Sequence, residues 1–381
     1  MRSSLLWWVL LLIPCFAAGD PPQVLVQRDF ETDLGTVFTM DRQATLGVCH
    51  DEGVAFTGKG ALRLVYTQRP SPQTPGVPDL PGSVLMPVMP PQPKLGAISF
   101  ALRTTLAGPF VCMLGEGDNG PRYTAMLWSQ ANQWQPFTLR LKDFTFAREG
   151  PADPDGKLDP ERVAALVLID LQAMLGQSGE ANTIFYMEPP GEQTLLLDDL
   201  KLTEAVPEPM PAVPAPMISY GLPVKGMVFV GGLDVKLTED ADDAGEPVLK
   251  VEYTVPRRTL LGIAHALKPG ALSGAGAVQI RLRSSGKATF IVGLEEQRSP
   301  GDKSSYNTSF TLSGLDGWQT VTLPLSQFKL DGDRPDPDGK LDPEQVGMLM
   351  LGDLSAMAQQ TDLSNVLWLD WLTTVPEKPV P

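Results

Sequence analysis

Apolar and polar residues alternate in short runs at corresponding places in the two halves of the chain. The runs are Ala61–Tyr66 and Phe137–Leu141 in the first half, and Val278–Arg283 and Thr320–Leu323 in the second. A period of two is typical of strands that bury one face. Turn residues separate the runs at intervals of about 8–15 residues, a spacing that suits an antiparallel β-sandwich. The pattern therefore predicts an all-β fold.

One helical piece is predicted in each half, beginning at Asp159 and at Asp342, each of which is followed by Pro and Glu. An Asp side chain can cap a helix, Pro presets φ at the first helical position, and Glu favours the positive end of the helix dipole. The first helix can hold only one or two turns, because the apolar run Leu166–Leu168 that follows is typical of a strand.

A long internal repeat dominates the sequence. The nine residues Asp153–Glu161 recur unchanged at Asp336–Glu344, and 16 of 22 positions are identical when both copies are extended to Met174 and Met357. The period is far longer than the 20–50 residues of a solenoid unit, so each copy corresponds to a whole domain. The sequence therefore predicts a tandem pair of β-sandwich domains.

The boundaries follow from composition. We expect a signal peptide at residues 1–19, a first sandwich at 20–205, a linker at 206–218, a second sandwich at 219–375 and a Pro-rich tail at 376–381. Residues 206–216 contain five prolines, which favours an extended, semi-rigid polyproline II spacer.

The repeated segment Asp153–Asp159 places three carboxylates at spacings of two and four, as a calcium loop would. An EF-hand, however, needs Gly at its sixth position, and here Gly156 is the fourth residue. A Pro-Asp-Gly turn that leads into a capped helix explains every residue of the segment. We interpret the segment as a turn, with metal binding as the alternative.

Short motifs in both copies resemble those of a known group. In copy one they are Trp134, Phe144, Leu158-Asp159 and Leu197–Leu200; in copy two they are Trp318, Phe328, Leu341-Asp342 and Leu369-Asp370. With these motifs the chain resembles the galactose-binding-like jelly-roll β-sandwiches, and among them carbohydrate-binding module family 11 and the related complex I intermediate-associated protein family. The resemblance covers most of residues 24–204 and 219–375, and it implies two tandem jelly rolls.

The resemblance also implies a structural Ca²⁺ ion where the N-terminal Phe-Glu segment meets the last strand. Its ligands in copy one would be Glu31 and Asp198, since a hard cation prefers oxygen donors. The alternative is that Asp198 and Asp199 are ordinary strand-end carboxylates that accept backbone hydrogen bonds. In copy two no Phe-Glu pair occurs near the start and Trp371 replaces the second Asp, so calcium is not expected there.

A carbohydrate site needs exposed aromatic faces with amides or carboxylates nearby. A predicted hairpin in each copy carries such residues, and the candidate ligand-binding residues are Glu116, Arg122, Tyr123, Trp128, Glu296 and Tyr306. Trp134 and Trp318 are predicted instead to be core residues.

The N-terminus has the order of a secretory signal. Arg2 precedes an apolar run from Leu5 to Phe16, and small residues follow. This pattern predicts a secreted, periplasmic or cell-surface protein; a lipoprotein modified at Cys15 is the alternative. No other segment is long and apolar enough to cross a membrane. Cys49 and Cys112 would remain after cleavage, and in an oxidising compartment they could pair or stay free.

Composition narrows the function classes. The chain carries a net charge of −15 and has a pI near 4.6, which argues against nucleic acid or an anionic membrane as its main partner. It has only two His, and it lacks the common hydrolase, metalloprotease, P-loop and dinucleotide motifs. We therefore expect no catalytic residues and no enzyme activity. The sequence favours an exported protein that binds carbohydrate or a cell-surface polymer; a structural or protein-interaction module of an envelope or extracellular assembly is the alternative.

Overall fold

The computed structural model describes residues 22–68, 79–117, 119–147, 151–175, 191–205, 216–299, 302–314, 317–332 and 336–376. The predicted signal peptide, most of the predicted linker and nearly all of the predicted tail lie outside these residues. No helix in the described part of the chain is long and apolar enough to span a membrane.

The first domain is a sandwich of two antiparallel sheets. Sheet A has the strand order β2-β3-β11-β5-β8, with β1 also paired to β11, and sheet B has the order β4-β10-β6-β7-β9. The strands are β1 (Val24–Arg28), β2 (Thr45–Cys49), β3 (Ala61–Thr67), β4 (Ser83–Pro87), β5 (Leu95–Thr104), β6 (Gly108–Glu116), β7 (Arg122–Ser129), β8 (Gln135–Arg140), β9 (Thr145–Phe146), β10 (Val163–Asp170) and β11 (Glu192–Glu204).

The second domain repeats this architecture. Sheet C has the order β14-β15-β23-β17-β20, with β12 also on β23, and sheet D has the order β13-β16-β22-β18-β19-β21. The strands are β12 (Ile218–Ser219), β13 (Met227–Val230), β14 (Leu233–Ala241), β15 (Pro247–Val255), β16 (Leu261–Ala266), β17 (Ala275–Ser284), β18 (Ala288–Ser299), β19 (Asp302–Leu312), β20 (Gln319–Pro324), β21 (Lys329–Leu330), β22 (Val346–Asp353) and β23 (Leu363–Pro376). The predicted fold class of two tandem jelly-roll sandwiches is confirmed, although β12 begins within the predicted linker.

The alternating apolar residues that predicted the strands also form the hydrophobic cores. In β8, Phe137 and Leu139 are buried while Thr138 and Arg140 point to solvent. The buried side chains of sheets A and B form one hydrophobic cluster, and those of sheets C and D form another. Trp134 and Trp318 are only half-buried, so the prediction that they are core residues is wrong. They lie beside β8 and β20, whose inner positions are already filled by smaller apolar residues.

The predicted helix is a single 3₁₀ turn in each copy, at Pro160–Arg162 and Pro343–Gln345. The Asp before each Pro makes no side-chain capping hydrogen bond, so that detail of the prediction is wrong. Two short helices that the pattern did not predict follow the next strand, α1 (Leu171–Leu175) and α2 (Ser355–Gln359).

A buried carboxylate holds each of these short helices. Asp170 accepts hydrogen bonds from the backbone N–H of Gln172 at 2.9 Å and from the hydroxyl of Tyr66 at 2.6 Å. In the second domain Asp353 likewise accepts from the N–H of Ser355 at 2.8 Å and from the hydroxyl of Tyr253 at 2.5 Å. Burial of a carboxylate is tolerated only with such partners, so each Tyr-Asp pair fixes the end of a strand against the opposite sheet.

The two domains are in direct contact along strand β7. The segment before β13 extends the edge of sheet B, because Gly226 N donates to Met126 O at 2.8 Å and Leu127 forms a bridge with Lys225. The Trp128 side chain packs into the core of the second domain, with its ring centroid 5.0 Å from that of Phe229. We call this contact the β7–β13 seam.

Replacement of Trp128 by Ala should uncouple the domains. The change empties a buried site that both domains line, and large-to-small changes of this kind cost about 3–5 kcal/mol. We expect calorimetry to show one cooperative transition for the wild type and two separated transitions for the variant. Trp134→Ala, which removes a half-buried Trp within the first domain, is the matched control. A single transition in Trp128→Ala would contradict the role of the seam.

Candidate functional site

The two copies contain equivalent buried clusters where the predicted ligand-binding residues meet the repeated segment. In the first domain the hydroxyl of Tyr123 donates to Asp153, and Glu116 Oε1 accepts the N–H of Asp159 at 2.7 Å. Glu116 also pairs with Arg162 at 3.2 Å. These contacts fasten both ends of the repeated segment to sheet B.

The second domain repeats the cluster with a different arginine. The hydroxyl of Tyr306 donates to Asp336, and Glu296 accepts the N–H of Asp342. The counterpart of Arg162 is Gln345, and Arg298 from β18 takes over at 3.0 Å from Glu296. The repeated segment is thus a docked turn in both domains, in agreement with the turn interpretation. Within the described residues no group of three or more His, Cys, Asp or Glu side chains could hold a metal ion.

Five of the six candidate ligand-binding residues are buried, and this corrects the expectation that they are exposed. Glu116 is 0% exposed, Tyr123 2%, and Glu296 1%. Tyr306 is 2% exposed, and Trp128 lies in the β7–β13 seam. For the two glutamates and the two tyrosines the reason is the strand register, since each hairpin turns these side chains into the sandwich, where the repeated segment supplies their partners. Trp128 faces the other way and is covered by the second domain. Arg122, at the start of β7, is the one exposed member, and ligand contact by the six stays a prediction.

Burial raises the pKa of Glu296 to about 7, and it also raises the pKa of Glu116. In an unfolded chain a Glu titrates near 4.3, so folding takes up a proton between these two values. The contribution of Glu296 to the free energy of unfolding is therefore largest at low pH and declines as pH rises from about 4.5 to 7.

Glu296→Gln should remove this pH dependence. Relative to the wild type, the variant is expected to gain free energy of unfolding as pH rises from about 5 to 8, because Gln has no proton to lose. Urea denaturation at several pH values measures the difference. Glu344→Gln, at an exposed carboxylate in the neighbouring turn, is the control and should track the wild type. Parallel curves for Glu296→Gln and the wild type would contradict the assignment.

The predicted calcium ligands both contact the loop 56–60. Asp198 Oδ2 accepts the N–H groups of Phe56 and Thr57, each at 2.9 Å, and its Oδ1 accepts the N–H of Asp199 at 2.6 Å. Glu31 Oε1 accepts the N–H of Lys59 at 2.8 Å. Burial raises the pKa of Asp198 despite these three bonds.

Two glycines allow the loop to approach so closely. A Cβ on Gly58 would lie 1.8 Å from Glu31 Oε1, and one on Gly60 would lie 2.3 Å from the backbone O of Phe30. Three of the four carboxylate oxygens thus already accept backbone N–H groups. Asp198 accepts backbone hydrogen bonds, as the alternative expected, whereas the Asp199 carboxylate pairs with Lys201 Nζ at 2.7 Å. In this arrangement Glu31 and Asp198 clamp the loop 56–60, and calcium binding itself stays a prediction.

One experiment distinguishes a loop clamp by Glu31 and Asp198 from a Ca²⁺ site at the same residues. If the carboxylates act as a clamp, EDTA should leave the melting temperature unchanged. Gly58→Ala should lower it, because Glu31 is displaced and loses its bonds, at about 1–3 kcal/mol. Differential scanning fluorimetry with and without EDTA and added Ca²⁺ measures both effects. Gly53→Ala, at another positive-φ glycine with open space around it, controls for backbone strain. A lower melting temperature in EDTA would favour the metal instead.

An aromatic surface that sequence reasoning missed lies on the outer face of sheet C. The guanidinium of Arg283 lies over the ring of Trp368, 4.0 Å from its centroid, and 5.5 Å from the centroid of Trp318. Trp368 and Trp318 are both half-buried. We call Trp318, Arg283 and Trp368 the tryptophan platform. The signal was present in the sequence, since Trp368 lies between the inward-facing residues Leu367 and Leu369 and must therefore point outward.

Charged groups beside the platform are mostly paired. Arg281 binds the carboxylates of Asp242, at 2.8 Å, and of Asp243 and Asp370. Trp368 Nε1 donates to Asp240 at 2.8 Å, and this bond lowers the pKa of that carboxyl. Arg283 forms no hydrogen bond or ion pair with any described residue, and its Nε is buried without a partner.

The outer face of sheet D is different in character. Ala264, Met350, Gly293 and Asn307 lie in one row across it, and their neighbours along each strand point into the core. This row offers small side chains, methionine and an amide, and it contains no aromatic ring. The two described thiols are also unexposed, since Cys49 and Cys112 are both buried and free.

Similarity to known proteins is found among solved structures. No family model matches the chain, and no curated protein matches it. Among solved structures it is similar to the tandem family 22 carbohydrate-binding modules of Paenibacillus barcinonensis Xyn10C, with 12% identity, a TM-score of 0.28, and coverage of 94% of this chain and 99% of the other.

A family 11 carbohydrate-binding module from Clostridium thermocellum, solved with a β-1,3-1,4-mixed-linked tetrasaccharide, is 19% identical, with a TM-score of 0.31 and coverage of 40% of this chain and 90% of that one. An exo-β-agarase is 11% identical, with a TM-score of 0.31 and coverage of 47% and 25%. The solved structures that the chain is similar to thus include carbohydrate-binding modules of families 22 and 11, each at a TM-score well under 0.5.

Proposed function

We propose that this protein is an exported, non-catalytic carbohydrate-binding protein whose ligand lies on the tryptophan platform of the second domain. The observation that carries the proposal is the pair of half-buried indole rings that flank an unpaired arginine on the outer face of a sheet. The N-terminal pattern of Arg2 followed by an apolar run supports the export.

The chemistry of the platform suits a sugar ring. A pyranose has an apolar face of C–H groups and a rim of hydroxyls, so it needs flat apolar surface together with hydrogen-bonding groups. Trp318 and Trp368 offer aromatic surface, and Asp240 beside them offers a carboxylate acceptor. Arg283 stacks on the two rings and forms no hydrogen bond or ion pair with a described residue. Its terminal NH₂ groups can therefore donate to hydroxyl or carboxylate oxygens of a ligand, whereas its Nε is buried.

The carboxylates near the platform are poorly suited to glycoside hydrolysis. That reaction needs one carboxyl group with a raised pKa as general acid and a second as base or nucleophile. The hydrogen bond from Trp368 lowers the pKa of Asp240, and the hydrogen bond from Arg281 lowers that of Asp242. Both groups are therefore ionised at neutral pH and have no proton to donate, which supports a binding role.

Removal of the Trp368 ring should weaken the retention of the protein by its ligand. Trp368→Ala is expected to weaken binding about thirtyfold, because loss of a Trp anchor costs about 2 kcal/mol. Affinity electrophoresis of the full chain through mixed-linkage β-1,3-1,4-glucan, agarose and polygalacturonate measures it. Trp368→Phe keeps an aromatic face and should retain most of the binding, which separates stacking from loss of stability.

Retardation of Trp368→Ala equal to that of the wild type would contradict the platform as the site. No retardation of the wild type in any gel, together with recovery of a defined protein partner, would favour the alternative function of a structural or protein-interaction module.

A further inference from the structure

A cleft opens on the outer face of sheet A in the first domain, on the side opposite to the predicted hairpin residues. Its volume is about 230 Å³. Polar side chains form its walls, and Leu196 and Val54 add aliphatic surface. The residues that line it are Asp51, Glu52, Gly53, Val54, Arg103, Thr104, Thr105, Asn132, Thr194 and Leu196.

The cleft occupies the position in the first domain that the tryptophan platform occupies in the second. Arg103 on β5 pairs with Leu196 on β11, as Arg283 on β17 pairs with Trp368 on β23. Both copies therefore place an arginine at the same register position on the outer face. Where the second domain has the Trp368 indole, the first has the smaller Leu196 and open space.

A second difference leaves the carboxylates of the cleft without the arginine that neutralises their counterparts. In the second domain Arg281 neutralises Asp242 and Asp243, which follow β14 as Asp51 and Glu52 follow β2. The residue that corresponds to Arg281 is Ala101, which carries no charge.

Asp51 is partly engaged, by the Cys49 thiol at 3.0 Å and by Arg63 at 3.4 Å. Arg103 and Glu52 form no side-chain hydrogen bond or ion pair with any other residue in the described ranges. The cleft thus presents one free guanidinium and one free carboxylate to a ligand.

One wall of the cleft is held in place by a buried amide. Gln193, which is 0% exposed, accepts a hydrogen bond from the hydroxyl of Thr105 at 2.7 Å and another from the N–H of Leu106 at 2.9 Å. Asn132, at φ 59°, donates its N–H to Thr104 O at 2.7 Å and its side-chain amide to Thr105 O at 3.3 Å. A wall fixed in this way costs little to order when a ligand binds.

We propose that this cleft is a second saccharide-binding site, specific for a neutral sugar. Arg103 donates, Glu52 and Asp51 accept, and the Asn132 amide can do either; this mixture matches hydroxyl groups, which both donate and accept. The two carboxylates repel an anionic ligand. The half-buried Val54 and the exposed edge of Leu196, which is 7% exposed, give the cleft a small apolar surface for the C–H groups of a ring. The choice of ligand class rests on the proposed carbohydrate-binding function, whereas the site itself rests on the cleft.

Nuclear magnetic resonance of the full chain tests the site directly. The probe is the mixed-linkage β-1,3-1,4-glucan tetrasaccharide, added to isotopically labelled protein and followed by TROSY spectra. We expect saturable shifts of the backbone amides of residues 52–54 and 103–105 and of the Asn132 side-chain amide. Arg103→Ala should weaken the affinity measured from these shifts at least tenfold. Leu196→Trp, which fills the cleft as Trp368 fills its counterpart, should abolish the shifts.

Controls separate this inference from the proposed function. Arg257→Ala removes an exposed arginine from the second domain and should leave the shifts unchanged. Trp368→Ala should keep the cleft shifts while losing those at the platform. Shifts confined to the platform would overturn the cleft site and leave the proposed function intact. Cleft shifts that persist in Arg103→Ala, or stronger cleft shifts with a galacturonate oligomer than with the neutral tetrasaccharide, would overturn the assignment as stated.

Discussion

Every functional feature of this protein depends on the period-two alternation of its strands. A residue that shifts by one position moves from the core to solvent, so the register decides which aromatic rings can meet a ligand. Tyr123 and Tyr306 occupy inward positions and become anchors for the repeated segment. Trp368 occupies an outward position one residue away from two core leucines, and it becomes part of a surface. Aromatic residues of the second domain therefore have two different roles: Tyr306 anchors a segment in the interior, and Trp368 forms part of an outer face.

Buried carboxylates explain why the repeat is so well preserved between the two copies. Glu116 and Glu296 each need a backbone N–H and a cation in the interior, because an unpaired buried charge is strongly unfavourable. The repeated segment supplies the backbone N–H in both copies, so it must keep its turn geometry, and its nine residues are identical in the two copies. The cation that pairs with the buried glutamate differs between the copies: it is Arg162 in the first domain and Arg298 in the second. The conserved part of the duplication is thus the part that satisfies the core, while the outer faces have diverged.

Much of the fold was predictable from the sequence, and much of the site was not. The all-β class followed from local alternation and the duplication from direct identity, and neither requires knowledge of long-range contacts. The burial of Glu116 depends on Asp159, which is 43 residues away, so no local pattern reveals it. Trp134 and Trp318 were expected inside, because large aromatic residues are usually buried, but the inner faces of β8 and β20 were already filled. Trp368 was predictable in principle, since its two buried neighbours in β23 fix its direction.

The β7–β13 seam has a consequence for how a polymer is engaged. Domains on a loose tether can each adjust to the spacing of sites along a chain, and they gain affinity for almost any repetitive ligand. Here the Trp128 side chain and the backbone pairing between β7 and the segment before β13 join the two domains directly. The cleft of sheet A and the platform of sheet C therefore keep a constant separation and angle. Under the proposed function, a polysaccharide could occupy both sites only if its own curvature matched that geometry, so the duplicated protein would select the shape of a chain more than its length.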